Sequence, residues 1–336
     1  MSVVVVAGAR PQFVKAAALL PPLRARGEAL LVHTGQHGDP RMVEAHFEGL
    51  GLSPPDGRLT LFESARGPRL DEMRRGLVPL LARWRPSRVL ALGDTDSTVA
   101  AAEAAAERGI PVAHVEAGAR SGEPDLPEEQ NRIRVDALSD LLLCSTPAHA
   151  ANLAGRGGVH VVGDLMADAL LARESLLRAR EAGRPRAPYG ILTVHRAGTA
   201  DDPLALRRIF DAVASSRCPL LFPAHPRTKP ADLPPPVRLL APLPYLDFLA
   251  LVAGAAFVLT DSGGVQKEAY LLGVPCITLR DATEWGETVA EGWNVLVGTD
   301  PARIARALAR PPRAALRRPL YGDGRAGVRI AALVAP

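Results

Sequence analysis

The sequence predicts an α/β protein of two doubly wound domains, and three observations carry that prediction. Short β-branched runs alternate with Ala- and Leu-rich helical stretches along the chain, the pattern of parallel strands joined by crossover helices. The alternation breaks once, after Gly163-Asp164-Leu165, and then begins again. The length, 336 residues, suits about two domains of ordinary size.

The elements follow in order. Residues 3–6, four valines, read as the first strand; no basic segment precedes them and Gly8 and Arg10 follow at once, so they are not a leader peptide. A helix is expected from Pro11 to about Arg26, with proline well placed at its first position. Strands are expected at 30–33, 88–92, 112–115, 140–144 and 159–162, with helical segments between them. An Arg-rich helical stretch then runs to Gly183-Arg184-Pro185-Arg186-Ala187-Pro188, read as the linker. Beyond it, strands are expected at 191–194, 219–222, 257–260, 276–279 and 295–297. The tail holds Tyr321-Gly322-Asp323-Gly324 and a short helix over 328–334. We place the domains at 1–167 and 168–318, with 319–336 as a tail that packs back on the first; the halves share an architecture but no sequence repeat.

Composition narrows the function. A net charge of +4 with no basic block, and no Arg cluster interleaved with aromatics, argues against nucleic acid. A modest positive field suits an anionic substrate. Only three of the 40 basic residues are lysines (Lys15, Lys229 and Lys267), and a lysine kept against that bias hints at a specific role. Cys144, Cys218 and Cys276 are widely spaced beside apolar runs, as small buried hydrophobes and not as a disulfide framework or zinc site. No apolar stretch approaches the ~18 residues of a membrane span. A cytoplasmic setting and no metal are expected.

In sheets of this kind ligands bind beyond the carboxyl ends of the strands, where the unusual polar clusters of this chain fall. Thr260-Asp261-Ser262-Gly263-Gly264-Val265-Gln266-Lys267-Glu268 follows an apolar strand and opens a helix. Free N–H groups at a helix start, with glycines that admit close approach, suit a phosphate or diphosphate. Glu268, about one turn on, suits ribose hydroxyls; the bland alternative is a tight strand-to-helix turn. Asp94 reads equally well as a first-turn residue before the alanine-rich stretch 99–106. Glu116, directly after His114-Val115 at a strand end, is no capping habit and points to function. Glu128 and Glu129 open a helix after Pro127, where acids favour the dipole. His195, beside Arg196, is either a core histidine or a proton-transfer group, and Arg10 and Lys15 are candidate anion ligands. A diphosphate-ribose site in one domain and carboxylates in the other suit a nucleotide-sugar.

On these residues the chain resembles the non-hydrolysing UDP-N-acetylglucosamine 2-epimerases. The resemblance runs through Gly8-Ala9-Arg10-Pro11-Gln12-Phe13-Val14-Lys15, His33-Thr34-Gly35-Gln36-His37, Gly93-Asp94-Thr95, His114-Val115-Glu116-Ala117-Gly118, Pro127-Glu128-Glu129, Asn131-Arg132, His195-Arg196, the stretch 260–268 and Tyr321-Gly322-Asp323-Gly324. It implies two Rossmann-like domains facing a central cleft, the glycosyltransferase-B type. It implies interconversion of UDP-GlcNAc and UDP-ManNAc without a cofactor, by elimination of UDP to a 2-acetamidoglucal and re-addition. It assigns acid/base roles to Asp94, Glu116 and Glu128, with His195 near the diphosphate. Substrate binding falls to Arg10, Lys15, His225, Ser262, Gly263, Gly264 and Glu268. A homodimer is expected.

Three departures from the family stand out. Gly198-Thr199 replaces a Glu-Asn, and Thr283-Glu284-Trp285 replaces a Thr-Glu-Arg. The stretch 64–70 reads as a short loop without a clear match to the arginine of an activator site; with Asp39 in place of a glutamine, no strict activator requirement is expected. The wording around Gly8–Phe13 and Gln266–Tyr270 is similar to a branch that includes 2-epimerases of UDP-2,3-diacetamido-glucuronate. The rivals are that relative, a UDP-sugar glycosyltransferase on the same fold, and a non-catalytic sensor.

Overall fold

The computed structural model describes residues 2–36, 40–180, 185, 188–223, 233–313 and 316–334. His37, Asp39, His225, Lys229 and, of the expected linker, Gly183, Arg184, Arg186 and Ala187 lie outside the described residues. Two units emerge, one of Met1–Ala172 with Pro319–Pro336, the other of Arg173–Arg318.

Among the described residues the first unit holds seven parallel strands: β1 Ser2–Ala7, β2 Glu28–His33, β3 Gly57–Arg58, β4 Arg88–Leu92, β5 Val112–Val115, β6 Leu141–Cys144 and β7 Val159–Val161. They lie in the order β3-β2-β1-β4-β5-β6-β7. The second unit holds six: β8 Gly190–Thr193, β9 Leu220–Pro223, β10 Val237–Leu240, β11 Phe257–Thr260, β12 Cys276–Thr278 and β13 Asn294–Leu296, in the order β10-β9-β8-β11-β12-β13. Each sheet thus reverses direction beside its first strand, between β1 and β4 and between β8 and β11. That is the doubly wound, Rossmann-like arrangement, whose reversal point opens a crevice for ligands. β3 and β10 had no signal in the sequence. β3 is two residues long, and β10 is an edge strand with two of its four side chains exposed.

Valines dominate β1 because it is covered on both faces: Val4, Val5 and Val6 are fully buried. The alanine-rich stretch is helix Asp96–Glu107, and its Val99–Ala102, Ala104 and Ala105 are also fully buried. Small side chains there bring helices Arg66–Trp84 and Pro127–Leu138 close, so a core with few aromatics still fills. Cys144 and Cys276 are buried apolar-site thiols, and burial pushes both up to about 12. No helix among the described residues is long and apolar enough to cross a membrane.

The tail belongs to the first unit. Its helix, Ala326–Val334, starts two residues earlier than expected and packs on helices Arg10–Arg24 and Leu165–Leu171. The Tyr-Gly-Asp-Gly stretch is the docking segment: Asp164 N–H donates to Tyr321 O (3.0 Å), and Asp323 pairs with Arg329 through both oxygens (2.8 Å each). Asp168 Oδ2 accepts from Gly327 N–H (2.8 Å) at the start of the tail helix. Gly327 is required by contact: a Cβ there would lie 2.7 Å from the main-chain oxygen of Ala18. We predict that Gly327→Ala lowers stability by about 1–3 kcal/mol through overpacking against a rigid helix backbone. Urea unfolding checks it, and an unchanged midpoint would contradict the tight seating of the tail.

Candidate active site

In the first unit the candidate residues converge at the carboxyl ends of β1, β4 and β5. Helix Arg10–Arg24 begins directly after β1 and is tied to the end of β4 by Gln12. Gln12 Oε1 accepts from Gly8 and Ala9 N–H (2.7 and 3.1 Å), while its Nε2 donates to Leu92 O (2.8 Å) and Thr98 Oγ1 (3.1 Å). Lys15, one turn further, points its Nζ at Glu116 Oε2, 2.5 Å away, with both residues buried.

That contact depends on Gly93. A Cβ at 93 would lie 2.7 Å from Lys15 Nζ and 3.4 Å from Glu116 Oε2, and the residue has φ +69°. Glu116 itself has φ +72°, a conformation shared by one other described non-glycine residue, Arg85. A non-glycine residue held there costs about 1–3 kcal/mol and persists only where its surroundings impose it. Here β6 imposes it: Glu116 and Ala117 N–H both donate to Leu143 O (3.0 and 3.2 Å). Gly93 N–H in turn donates to Val115 O (2.9 Å).

Beneath the turn, His114 is fully buried, its Nδ1 2.6 Å from Asp136 Oδ1 and its Nε2 2.8 Å from Gly93 O. Both ring nitrogens thus lie within hydrogen-bond distance of an oxygen. Asp136 Oδ2 also accepts from Gly118 N–H (3.2 Å) and Arg120 Nη2 (2.6 Å). Burial alone would raise the Asp136 carboxyl. The hydrogen bonds and charges of His114 and Arg120 outweigh it and hold the group below the 3.8 of an ordinary aspartate.

Asp94 follows Gly93, partly exposed, with its carboxylate on Arg132. Its main-chain oxygen accepts from Asn131 Nδ2 (2.8 Å). Arg132 also binds Glu129 Oε2 (3.0 Å), and Glu129 accepts from Ser121 N–H (2.9 Å), Ser121 Oγ (3.1 Å) and Gly122 N–H (3.3 Å). Glu129 is therefore a loop anchor. Glu128, beside it on the first turn of helix Pro127–Leu138, is half-buried. Arg10 is half-buried at the start of its helix, and no hydrogen bond or ion pair engages its guanidinium among the described residues.

Residues 64–70 differ from the expected loop, since helix Arg66–Trp84 starts within them. Arg66 Nε and Arg69 Nη2 hold Asp96 (2.9 and 3.3 Å), the first residue of the next helix along the site. Gln36 Oε1 accepts from Ser97 N–H (3.0 Å) and Ser97 Oγ (2.6 Å).

In the second unit Asp261 ties the ends of β8 and β11 together. Its fully buried carboxylate accepts from the main-chain N–H of His195 (3.2 and 3.0 Å) and of Arg196 (2.9 Å), and it lies 3.3 Å from His195 Nδ1. The His195 ring is about one-third exposed. Ser262 caps helix Gly263–Leu272, its Oγ accepting from Val265 N–H (3.4 Å).

The two glycines differ in kind. A Cβ at 263 would lie 2.2 Å from Glu284 Oε1, whereas one at 264 would meet nothing nearer than Ser262 Oγ at 4.0 Å. Protein packing thus explains Gly263, and the space beside Gly264 at the helix start is open to a ligand oxygen. Glu268, one turn on, is buried. The Trp285 departure has a physical account: Lys267 Nζ sits 4.1 Å above its ring, a cation–π contact between two buried residues. Gly198 is exposed with open space around it, and nothing in the structure explains that departure.

A family model described as UDP-N-acetylglucosamine 2-epimerase matches residues 23–335. The chain belongs to that family. It is 37% identical to a UDP-N-acetylglucosamine 2-epimerase homolog of Methanococcus maripaludis, over 98% of each chain. It is also 37% identical to a UDP-2,3-diacetamido-2,3-dideoxy-D-glucuronate 2-epimerase of Pseudomonas aeruginosa, over 100% of this chain and 99% of that one. A crystal structure of the Methanocaldococcus jannaschii UDP-GlcNAc 2-epimerase in complex with UDP-GlcNAc and UDP superposes with a TM-score of 0.93 at 32% identity, covering 99% of both chains.

Sequence reasoning gave no role to Gln12, Asp136 or Asp261 in this epimerase-family site, and it matched Gln36 only to an activator site. Each binds main-chain groups remote in sequence, so no local pattern marks it. The His114–Asp136 pair yields a pH prediction. Because the Asp136 carboxyl is depressed in the folded state, its stabilisation is present above 3.8 and is lost as pH falls through the depressed value. Asp136→Asn should cost about 3 kcal/mol at neutral pH, the scale of a broken buried pair, and the gap to the parent should narrow at about pH 3. Urea midpoints at both pH values test this, and a gap independent of pH would contradict it.

Proposed function

We propose that the protein is a nucleotide-sugar epimerase that interconverts UDP-GlcNAc and UDP-ManNAc. The observation that carries this reading is the pairing of β4 with β5, Leu92 opposite Val115, which sets Asp94 and Glu116 just past adjacent strand ends, each in contact with a cation. Membership of the epimerase family supports it.

The chemistry needs such a set. The C2 proton is not acidic, so the C1–O bond loosens first and the sugar passes through an oxocarbenium-like transition state. The leaving diphosphate takes up the bond electrons and is stabilised by Arg10 and the N–H groups at the start of helix Gly263–Leu272. A carboxylate takes the C2 proton, giving the 2-acetamidoglucal. A second acid then protonates C2 from the opposite face while the UDP oxygen returns to C1. Inversion at C2 therefore requires groups reaching both faces of the ring, for which Asp94, Glu116 and Glu128 are the candidates. His195, held by Asp261, serves the diphosphate, and Glu268 the ribose. His225 completes the assignment from the family resemblance. The reaction is redox-neutral and calls for no cofactor. We further propose a cytoplasmic homodimer.

A second reading has a specific observation behind it, the equal identity to the diacetamido-glucuronate epimerase along the whole chain. A glycosyltransferase would use the same UDP loop but has no need of paired carboxylates at β4 and β5. Incubation in D₂O separates these readings: an epimerase places deuterium at C2 of its substrate, and comparing UDP-GlcNAc with the diacetamido-uronic sugar identifies which one. Neither sugar exchanging would overturn the proposal.

Two outcomes follow for variants. Asp94→Asn, Glu116→Gln and Glu128→Gln should each cut turnover by about 10²–10⁴, the worth of a positioned acid or base, with UDP affinity changing far less; near-normal turnover in all three would refute the mechanism. Glu268→Ala should weaken UDP binding by about 1.5–3 kcal/mol, the worth of a hydrogen bond to a charged group. Calorimetry with unchanged UDP affinity would remove Glu268 from the ribose site.

A further inference from the structure

Two cations stand near the start of helix Arg10–Arg24, and the structure treats them differently. Arg10 is half-buried, with no partner among the described residues. Lys15 is 5% exposed and its Nζ is 2.5 Å from a Glu116 oxygen, in a space kept open by the missing side chain of Gly93. The family resemblance groups both as phosphate ligands. The geometry separates them.

We propose that Lys15 is a positioning residue for Glu116, holding it as an aimed carboxylate ready to accept the C2 proton, and that Arg10 alone of the two cations binds the substrate diphosphate. The inference rests on the epimerase reading. Proton transfer breaks the C2–H bond and forms an O–H bond on Glu116, and the C2 electron pair becomes the glycal double bond. The Lys15 ammonium takes no part in these bond changes. Before transfer it stabilises the carboxylate; after transfer it favours release of the proton from the neutral acid. Asp94 likewise contacts a cation, Arg132, which it shares with Glu129.

The choice of lysine fits this role. A compact ammonium on a flexible stem fits a gap that a Cβ at position 93 would already fill, whereas a planar guanidinium needs a wider slot. In a chain whose cations are nearly all arginine, one of the three lysines falls where a Cβ at position 93 would crowd it.

The test compares Lys15→Met, Lys15→Gln and Lys15→Arg with Arg10→Met, measuring turnover, KM and UDP affinity by calorimetry. The expected result for the three Lys15 variants is a fall in kcat of about 10²-fold or more, with KM and UDP affinity within about twofold of the parent. Lys15→Arg should not rescue. Arg10→Met should lose UDP affinity by about tenfold or more. The double variant Lys15→Met/Glu116→Gln removes both buried charges together, which spares the fold, and should bind UDP like the parent. A loss of UDP affinity of about tenfold in Lys15→Met or in the double variant would overturn the proposal. Failure of the parent protein to exchange C2 hydrogen would instead defeat the epimerase reading, while the UDP affinities still decide the role of Lys15.

Discussion

Burying Lys15 against Glu116 places two opposite charges in a space from which water is nearly excluded. Either charge alone there would be costly, so the pair must be held closely. The means of holding it come from three neighbouring strands. β1 launches the helix that carries Lys15, β4 is followed by the glycine that leaves room, and β5 is followed by Glu116. Glu116 reaches the lysine only in a left-handed conformation, which the carbonyl of Leu143 on β6 enforces through two successive N–H groups. The position of the sheet reversal beside β1 decides that these ends are adjacent.

Around that contact, carboxylates sort by what they touch. Asp136 and Glu129 are buried acceptors whose oxygens are taken by main-chain N–H groups and by arginines or histidine. They hold the loop at 118–122 and the Gly93 turn in place, and so set where Asp94 and Glu116 sit. Asp94 keeps partial exposure on Arg132, and Glu116 lies against the compact Lys15 ammonium. The same acidic chemistry thus serves architecture in one pair and, in the proposed mechanism, reaction in the other.

The second unit meets the same topological problem with different chemistry. Its strand ends at the sheet reversal are joined by Asp261, which engages consecutive main-chain N–H groups at 195 and 196. Beyond it the chain enters a helix with a glycine whose neighbourhood is open. The first unit gathers carboxylates at its strand ends, while the second gathers backbone N–H groups of the kind that suit an anion.

The amino-acid sequence by itself determined the fold class, eleven of the thirteen strands among the described residues, and the strand ends on which polar residues gather. Those features follow from local rules: β-branched runs form covered parallel strands, proline and Ser-Gly-Gly open helices, and the polar residues left over fall at the junctions. Its many short motifs, kept in order, also sufficed for the family. Tertiary structure decided the rest. β3 and β10 exist only as edges pairing with an established neighbour, so they carry no apolar signature. Gln12, Asp136 and Asp261 act on main-chain groups far away in the chain, as in the 80-residue span from Gln12 to Leu92, and no periodicity encodes such a contact. Whether Lys15 faces phosphate or carboxylate was equally illegible, because it depends on the empty space at Gly93, a residue 78 positions later that becomes its neighbour only when β1 and β4 pair.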